Sequence, residues 1–216
     1  GYPLINAYLT GKELKLAAEV DASVSDFMTT ARLYCSGLNF TFNPHRMILN
    51  KVTDCYLTRE DGERIEIQDD QLYRVVTDLY TGQMLGSVME MSYGLLKIEP
   101  KDKDGNPIEN LEDQAIMEGD KELKAWDAIA RYMQSFDDAD GDGIANVSEY
   151  YATTHDRKVV DDSKNILDLV KKPNKFTAII VCIGLIIIII IVLVVSLIRK
   201  IVRKSRKKKN IHNTNR

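Results

Sequence analysis

The chain has 216 residues, 44% of them hydrophobic and 28% charged, which excludes a disordered protein and leaves room for one medium domain plus appendages. Its net charge of -3 hides a split, because residues 199–216 hold nine of the 29 basic residues and none of the 32 acidic ones, so residues 1–198 carry -12. Three cysteines in this length exclude a disulfide-dense scaffold.

"PLINAYLT" reads as a strand, and "TGKE" at residues 10–13 is a capping-box pattern opening a helix over "ELKLAAEV", with Leu14, Ala17 and Ala18 on one face. Strand-like runs rich in Val, Ile, Tyr, Phe and Thr follow in "ARLYCSGLNFTF", "KVTDCYLTR" and "RIEIQ", with "EDGE" at residues 60–63 as a hairpin turn. Cys35 and Cys55 fall in two of these runs, either as a cross-strand pair or as two small core residues. "QLYRVVTDLY" predicts a further strand, and "LLKIEPKDKDGNPIE" a strand running into a Gly/Pro/Asp turn. "DKELKAWDAIARYMQSF" predicts an amphipathic helix turning Leu123, Trp126, Ile129, Ala130 and Met133 to the core. The expected fold class is α+β, a mixed sheet packed with helices, without internal repeats.

"DADGDGIANVSE", residues 138–149, places oxygen ligands where a hard cation such as Ca²⁺ needs them: Asp138, Asp140, Asp142, the Ile144 carbonyl, Asn146 and Glu149, with Gly143 at the sharp turn. The bland alternative is an acidic, glycine-rich linker. A filled site here would be structural, stiffening the joint between domain and stalk. The glycosylation sequons at Asn39 and Asn146 read as chance, the first inside a strand and the second on a calcium ligand.

Residues 150–175 form a polar stalk with one apolar patch, "NILDLV". The strongest signal comes next: "FTAIIVCIGLIIIIIIVLVVSLI", residues 176–198, has 23 residues without a charge. As a helix it spans about 35 Å, enough for a hydrocarbon core of roughly 30 Å. The fifteen residues after it hold eight Lys or Arg, against four in the fifteen before, Lys164, Lys171, Lys172 and Lys175. That asymmetry predicts a single-pass cell-membrane protein with residues 1–175 outside and a basic cytoplasmic tail. The tail's partner is then the lipid bilayer, and no nucleic acid is expected. The chain divides into a domain over 1–136, a calcium-loop-like segment over 137–150, a juxtamembrane stalk over 151–175, a transmembrane helix over 176–198 and the tail over 199–216.

The order "NAYLTGKELKLAAE", "YCSGLNFTFNP", "LTREDGERIEIQDDQLYRVVTDLY" and a helix like "KELKAWDAIARYMQSF" resembles the C-terminal, substrate-binding domain of the 5'-nucleotidase and UDP-sugar hydrolase family over residues 1–136. The resemblance implies a parent protein that hydrolyses phosphoric esters in nucleotide catabolism, using an N-terminal metallophosphatase domain with two divalent metals. An exported domain needs a signal, and this chain opens on Gly1, so it is expected to be the C-terminal part of a longer precursor, its own domain incomplete at the start and the metallophosphatase domain missing. Two-metal catalysis needs several closely placed ligands. His45 and His155 stand apart in loop-like sequence and His212 lies in the tail, so this chain alone is not expected to be catalytic. The resemblance also implies a nucleotide-like small molecule as partner, its base held between two aromatic rings. The positions aligned with those rings are Leu4 and Val88, neither aromatic. Either Tyr2, Tyr80 or Tyr93 substitutes, or the substrate is not a plain nucleoside monophosphate. The alternative is a non-catalytic, membrane-tethered binding or adhesion module of the same fold.

Overall fold

In the computed structural model, which describes residues 1–29, 32–92 and 94–214, strand β1 (Leu4–Thr10) runs directly into helix α1 (Gly11–Val24). The capping box is formed as predicted: the Glu13 amide donates to the Thr10 hydroxyl at 3.3 Å, and the Thr10 amide to the Glu13 carboxylate at 2.8 Å. Only glycine fits at position 11, where a Cβ would stand 2.0 Å from the Gln68 carbonyl oxygen. There follow β2 (Leu38–Phe42), β3 (Val52–Thr58), β4 (Arg64–Glu66), β5 (Leu72–Asp78) and α2 (Leu79–Met91). Next come β6 (Met117–Glu118), β7 (Lys121–Glu122), α3 (Ala125–Gln134) and β8 (Lys158–Val160), then α4 (Ile166–Val170) and α5 (Lys175–Thr214).

The fold is the expected mixture of sheets and helices. β1 pairs antiparallel with β5, Leu4 opposite Asp78 and Thr10 opposite Leu72. A second sheet runs in the order β4-β3-β2-β8 and is mixed, because β8 is parallel to β2 while the other pairs are antiparallel. β6 and β7 form a short hairpin. α1 is the wall shared by two cores: Ala18 and Ala22 pack with Leu38, Phe40 and Ile67, whereas Leu14 and Ala17 pack with Leu9 and Ile98. The chain splits into two compact units, Gly1–Lys164 and Asn165–Arg216. Within the second, Lys175–Arg203 is a helix long and apolar enough to cross a membrane.

Three buried carboxylates of α1 reach out to distant segments. Glu13 accepts from Lys101 Nζ at 2.6 Å and from the Glu99 amide at 3.1 Å. Glu19 accepts from the Lys51 and Val52 amides at 2.6 and 2.9 Å and from the Ser23 hydroxyl at 2.9 Å. Asp21 accepts from the Leu33 amide at 2.6 Å and pairs with Lys158 at 2.8 Å. Hydrogen bonds to ionised groups are roughly twice as strong as neutral ones, and such satisfaction is what a buried carboxylate requires.

Several elements depart from the sequence reading, each for a local reason. The first strand-like run yields strand only from Leu38, because Gly37 turns to φ +84° and its carbonyl accepts from the Thr58 amide. Cys35 therefore precedes the strand, and both it and Cys55 are free thiols. The β5 run stops at Asp78, whose carboxylate caps α2 by accepting from the Thr81 amide at 3.0 Å, so Leu79 and Tyr80 are helical. Residues 95–101 form no strand; Lys101 makes isolated bridges to Tyr8 and Pro107. The third helix begins at Ala125, since Lys121 and Glu122 belong to β7, and its apolar face is not in the core: Trp126, Ile129 and Met133 are 61%, 61% and 48% exposed. Periodicity defines a face and leaves its partner open. Within the expected stalk, residues 158–160 add the β8 strand to the sheet.

Burial alone would raise the Glu13 carboxyl, but Lys101, Thr10 and the Glu99 amide together hold it below its ordinary value of 4.5. A lowered carboxyl stabilises the fold above that value and loses its contribution as pH falls through the folded one. In urea unfolding of the full chain in detergent, Glu13→Gln is expected to lower the midpoint at pH 7, with the gap to the parent chain narrowing as pH falls below 4.5. A gap independent of pH would refute the assignment. Burial also pushes the Cys55 thiol up to about 12 and raises that of Cys35. The thiolate is the reactive form, so iodoacetamide at pH 8 should leave both cysteines unmodified in the folded chain and alkylate both in urea. Rapid labelling of either in the folded state would contradict this.

Candidate functional site

Leu4 opens β1 and is half-buried, on the strand face opposite Ile5, Ala7 and Leu9, which are all buried. α2 lies over that buried row, since a Cβ on Gly82 would stand 2.6 Å from Ile5 Cδ1. Val88, on α2, lines a cleft of about 50 Å³ walled by Ala17, Val20, Met28, Leu33, Met84, Leu85 and Ile98, with Tyr80 and Thr81 completing the rim. A ligand pocket usually offers about 300 Å³ or more. The cleft is too small for a base, and Leu4 is not among its lining residues.

The rings that do meet are Tyr2 and Tyr80. Their centroids are 5.5 Å apart at a 30° tilt, and the residues are 53% and 42% exposed. Tyr2 is held by backbone bonding, its carbonyl accepting from the Ala125 amide, and Tyr80 by the first turn of α2. Gly1 touches Trp126, as a Cβ there would be 2.7 Å from Trp126 Cδ1. Exposed rings fixed by backbone on both sides offer a planar ligand a stacking face. Tyr93 lies outside the described residues.

In the acidic loop, Asp138, Asp140 and Asp142 bring one carboxylate oxygen each within 4.8 Å of the others. Ca²⁺ bonds oxygen at about 2.3–2.6 Å, so ligands across the ion stand up to roughly 5 Å apart, and the three carboxylates fit one such ion. Gly141 and Gly143 take φ +75° and +87°, which turns their amides onto Asp138 at 2.8 and 2.9 Å. The Gly143 amide foremost holds the Asp138 carboxyl below the usual carboxylate range. Ile144 donates its amide to Asp142 at 2.8 Å. Asn146 spends its side-chain oxygen on the Ala139 amide at 2.6 Å, and Glu149 starts a 3₁₀ turn, Glu149–Ala152, outside the three-carboxylate group.

An aromatic cluster that sequence reading missed fastens this loop to α3. Tyr132 meets Phe136 at 5.1 Å and Tyr151 at 6.3 Å between centroids, Tyr132 and Tyr151 share a hydroxyl hydrogen bond, and His155 stacks on Tyr150 at 3.8 Å. The available signal was the Tyr132/Phe136 pair at i, i+4 followed by "YYATTH". His45 is engaged elsewhere, with Asp162 at 2.7 Å. The histidines with described side chains, His45 and His155, thus have separate structural partners. Asn39 is buried and donates to the Thr58 hydroxyl at 2.7 Å, a poor glycosylation acceptor.

Among solved structures the chain is similar to the 5'-nucleotidase precursor from Thermus thermophilus, at 17% identity and a TM-score of 0.45, covering 76% of this chain and 26% of that one. It is also similar to the NAD nucleotidase of Haemophilus influenzae, at 23% identity and a TM-score of 0.31, covering 38% of this chain and 15% of that one. The chain therefore spans about a quarter or less of the length of these proteins. No curated protein matches it. Residues 1–92, which build β1 to β5 with α1 and α2, match the family model described as the 5'-nucleotidase C-terminal domain, and over that span the α+β fold is of this kind.

Proposed function

We propose that the chain is the substrate-binding portion of an exported, membrane-anchored 5'-nucleotidase-like metallophosphohydrolase acting in nucleotide catabolism, whose two-metal site belongs to a metallophosphatase domain outside these residues. The observation that carries this reading is the family match over residues 1–92. The orientation, residues 1–175 outside the cell and the tail in the cytoplasm, is supported by the excess of Lys and Arg after the apolar run. The ligand is a nucleotide-like small molecule, and in this chain its base stacks on the Tyr2–Tyr80 pair, since Leu4 and Val88 lack rings. That same departure favours a second reading, a tethered binding or adhesion module without catalysis.

Saturation-transfer NMR of the full chain in detergent should detect adenosine or AMP. Stacking is worth about 1–3 kcal/mol per base, so Tyr80→Ala should weaken binding at least about fivefold. Phosphate release from AMP by this chain, with or without added divalent metal, should stay at the buffer level. No binding at millimolar ligand would leave the second reading standing; phosphate release would overturn the assignment of catalysis to another domain.

The loop over residues 138–149 is proposed to hold one Ca²⁺ through Asp138, Asp140, Asp142, the Ile144 carbonyl, Asn146 and Glu149, with a structural effect on the joint after α3. Asn146 and Glu149 would turn inward to complete the set. Calorimetric titration of the full chain should give a single site with Kd about 10⁻⁴–10⁻³ M, the range of extracellular calcium modules, weakened at least tenfold by Asp140→Asn. The absence of any binding heat at about 10-fold that concentration would make the loop an acidic linker.

A further inference from the structure

α4 is a helix of five residues in which Leu169 is half-buried while Ile166, Leu167 and Val170 are left exposed. Asn165 caps it, its side-chain oxygen accepting from the Leu167 amide at 3.1 Å. At about 100° per residue, Ile166, Leu167 and Val170 fall on one face and Asp168 on the opposite one. Those three side chains are 74%, 73% and 63% exposed, whereas Asp168 lies toward Lys171 at 3.9 Å. So short a helix is not stable in water without a surface to bury its apolar face.

Chain reach limits what that surface is. α5 begins at Lys175, five residues after Val170, and five residues span at most about 18 Å. Lys172 takes φ +50° and Pro173 follows, so α4 cannot run on into α5; α5 starts afresh with its own cap, Asn174, which accepts from the Phe176 and Thr177 amides at 3.0 and 3.1 Å. The two helices are thus free to take different directions while the first stays within reach of the second's start. Charge agrees with the same surface. Lys164, Lys171, Lys172 and Lys175 flank the apolar residues, and Asp168 is the single acid from residue 164 to residue 175. Lysines whose stems lie along an apolar boundary with the ammonium at phosphate level are what an in-plane helix requires.

We propose that α4 lies in the headgroup–acyl boundary of the bilayer that α5 crosses, with Ile166, Leu167 and Val170 against lipid chains and Lys171 and Lys172 at lipid phosphates. The inference rests on reading α5 as a membrane span. The test places single tryptophans in the full chain, on a Trp126→Phe background, in phosphatidylcholine nanodiscs with and without bromine on the upper acyl carbons. Leu167→Trp should emit at shorter wavelength than Asp168→Trp and be quenched by brominated lipid at least twofold more, while Ile187→Trp, at the middle of the span, is quenched by mid-chain bromine. Equal quenching at 167 and 168, with 187 quenched, overturns the placement of α4 alone. A blue-shifted but unquenched tryptophan at 167 means that protein covers the face, and also overturns it. An unquenched tryptophan at 187 removes the span and the proposal with it.

Discussion

The structure of the first unit depends on the three carboxylates that α1 carries inward. Glu13, Glu19 and Asp21 are 8%, 6% and 3% exposed, and each is satisfied by groups far away in sequence, at residues 99–101, 51–52, and 33 with 158. An unsatisfied buried carboxylate costs several kcal/mol, so none of these segments can leave without stranding a charge. α1 thereby fixes the β3 start, the segment that follows the cleft-lining Ile98, and the β8 edge in one register. Ala18 and Leu14 each join α1 to an apolar cluster, and the carboxylates supply the directions.

From this follows the placement of the Tyr2–Tyr80 pair. Gly11 lets the backbone of residues 67–68 close onto the α1 start, with the Gly11 amide donating to the Gln71 carbonyl at 2.9 Å. β5 then lies along β1, and Asp78 launches α2 at the end of that ribbon where Tyr2 waits, its chain held by the Ala125 amide. The Tyr2–Tyr80 pair is therefore a product of strand register and one helix cap. It needs no dedicated loop.

Much of this was legible in the sequence where the signal is local. The capping box at Thr10 and Glu13, the Leu14/Ala17/Ala18 face, the turn with Gly62 at φ +86°, and the apolar run of α5 depend on neighbours within a few residues. What stayed hidden depends on long-range partners. β8 has three residues and gains its strand geometry only by meeting β2, more than a hundred residues away. α2 carries Gly82 and Gly86, poor helix formers, and is set by the Asp78 cap and by packing on Ile5. The α3 face is apolar, as its periodicity says, but exposed where burial was expected. At the candidate site, the aspartates of the acidic loop were legible from spacing alone, whereas the encounter of Tyr2 with Tyr80 arises from the β1–β5 register.

The strand β8 also sets how mechanical load enters the first unit. Any pull on the chain from residue 165 onward reaches the domain through residues 157–163. There the load divides over the β2–β8 ladder, the Asn43 side chain donating to the Ser163 carbonyl at 2.7 Å, the His45–Asp162 pair at 2.7 Å and the Lys158–Asp21 pair at 2.8 Å. These contacts act in parallel at one sheet edge, and β1, β5 and α2 take no direct part in them. Tension applied from residue 165 onward is thus borne by a peripheral strand, which can peel off and lengthen the connecting segment before the Tyr2–Tyr80 pair feels any strain.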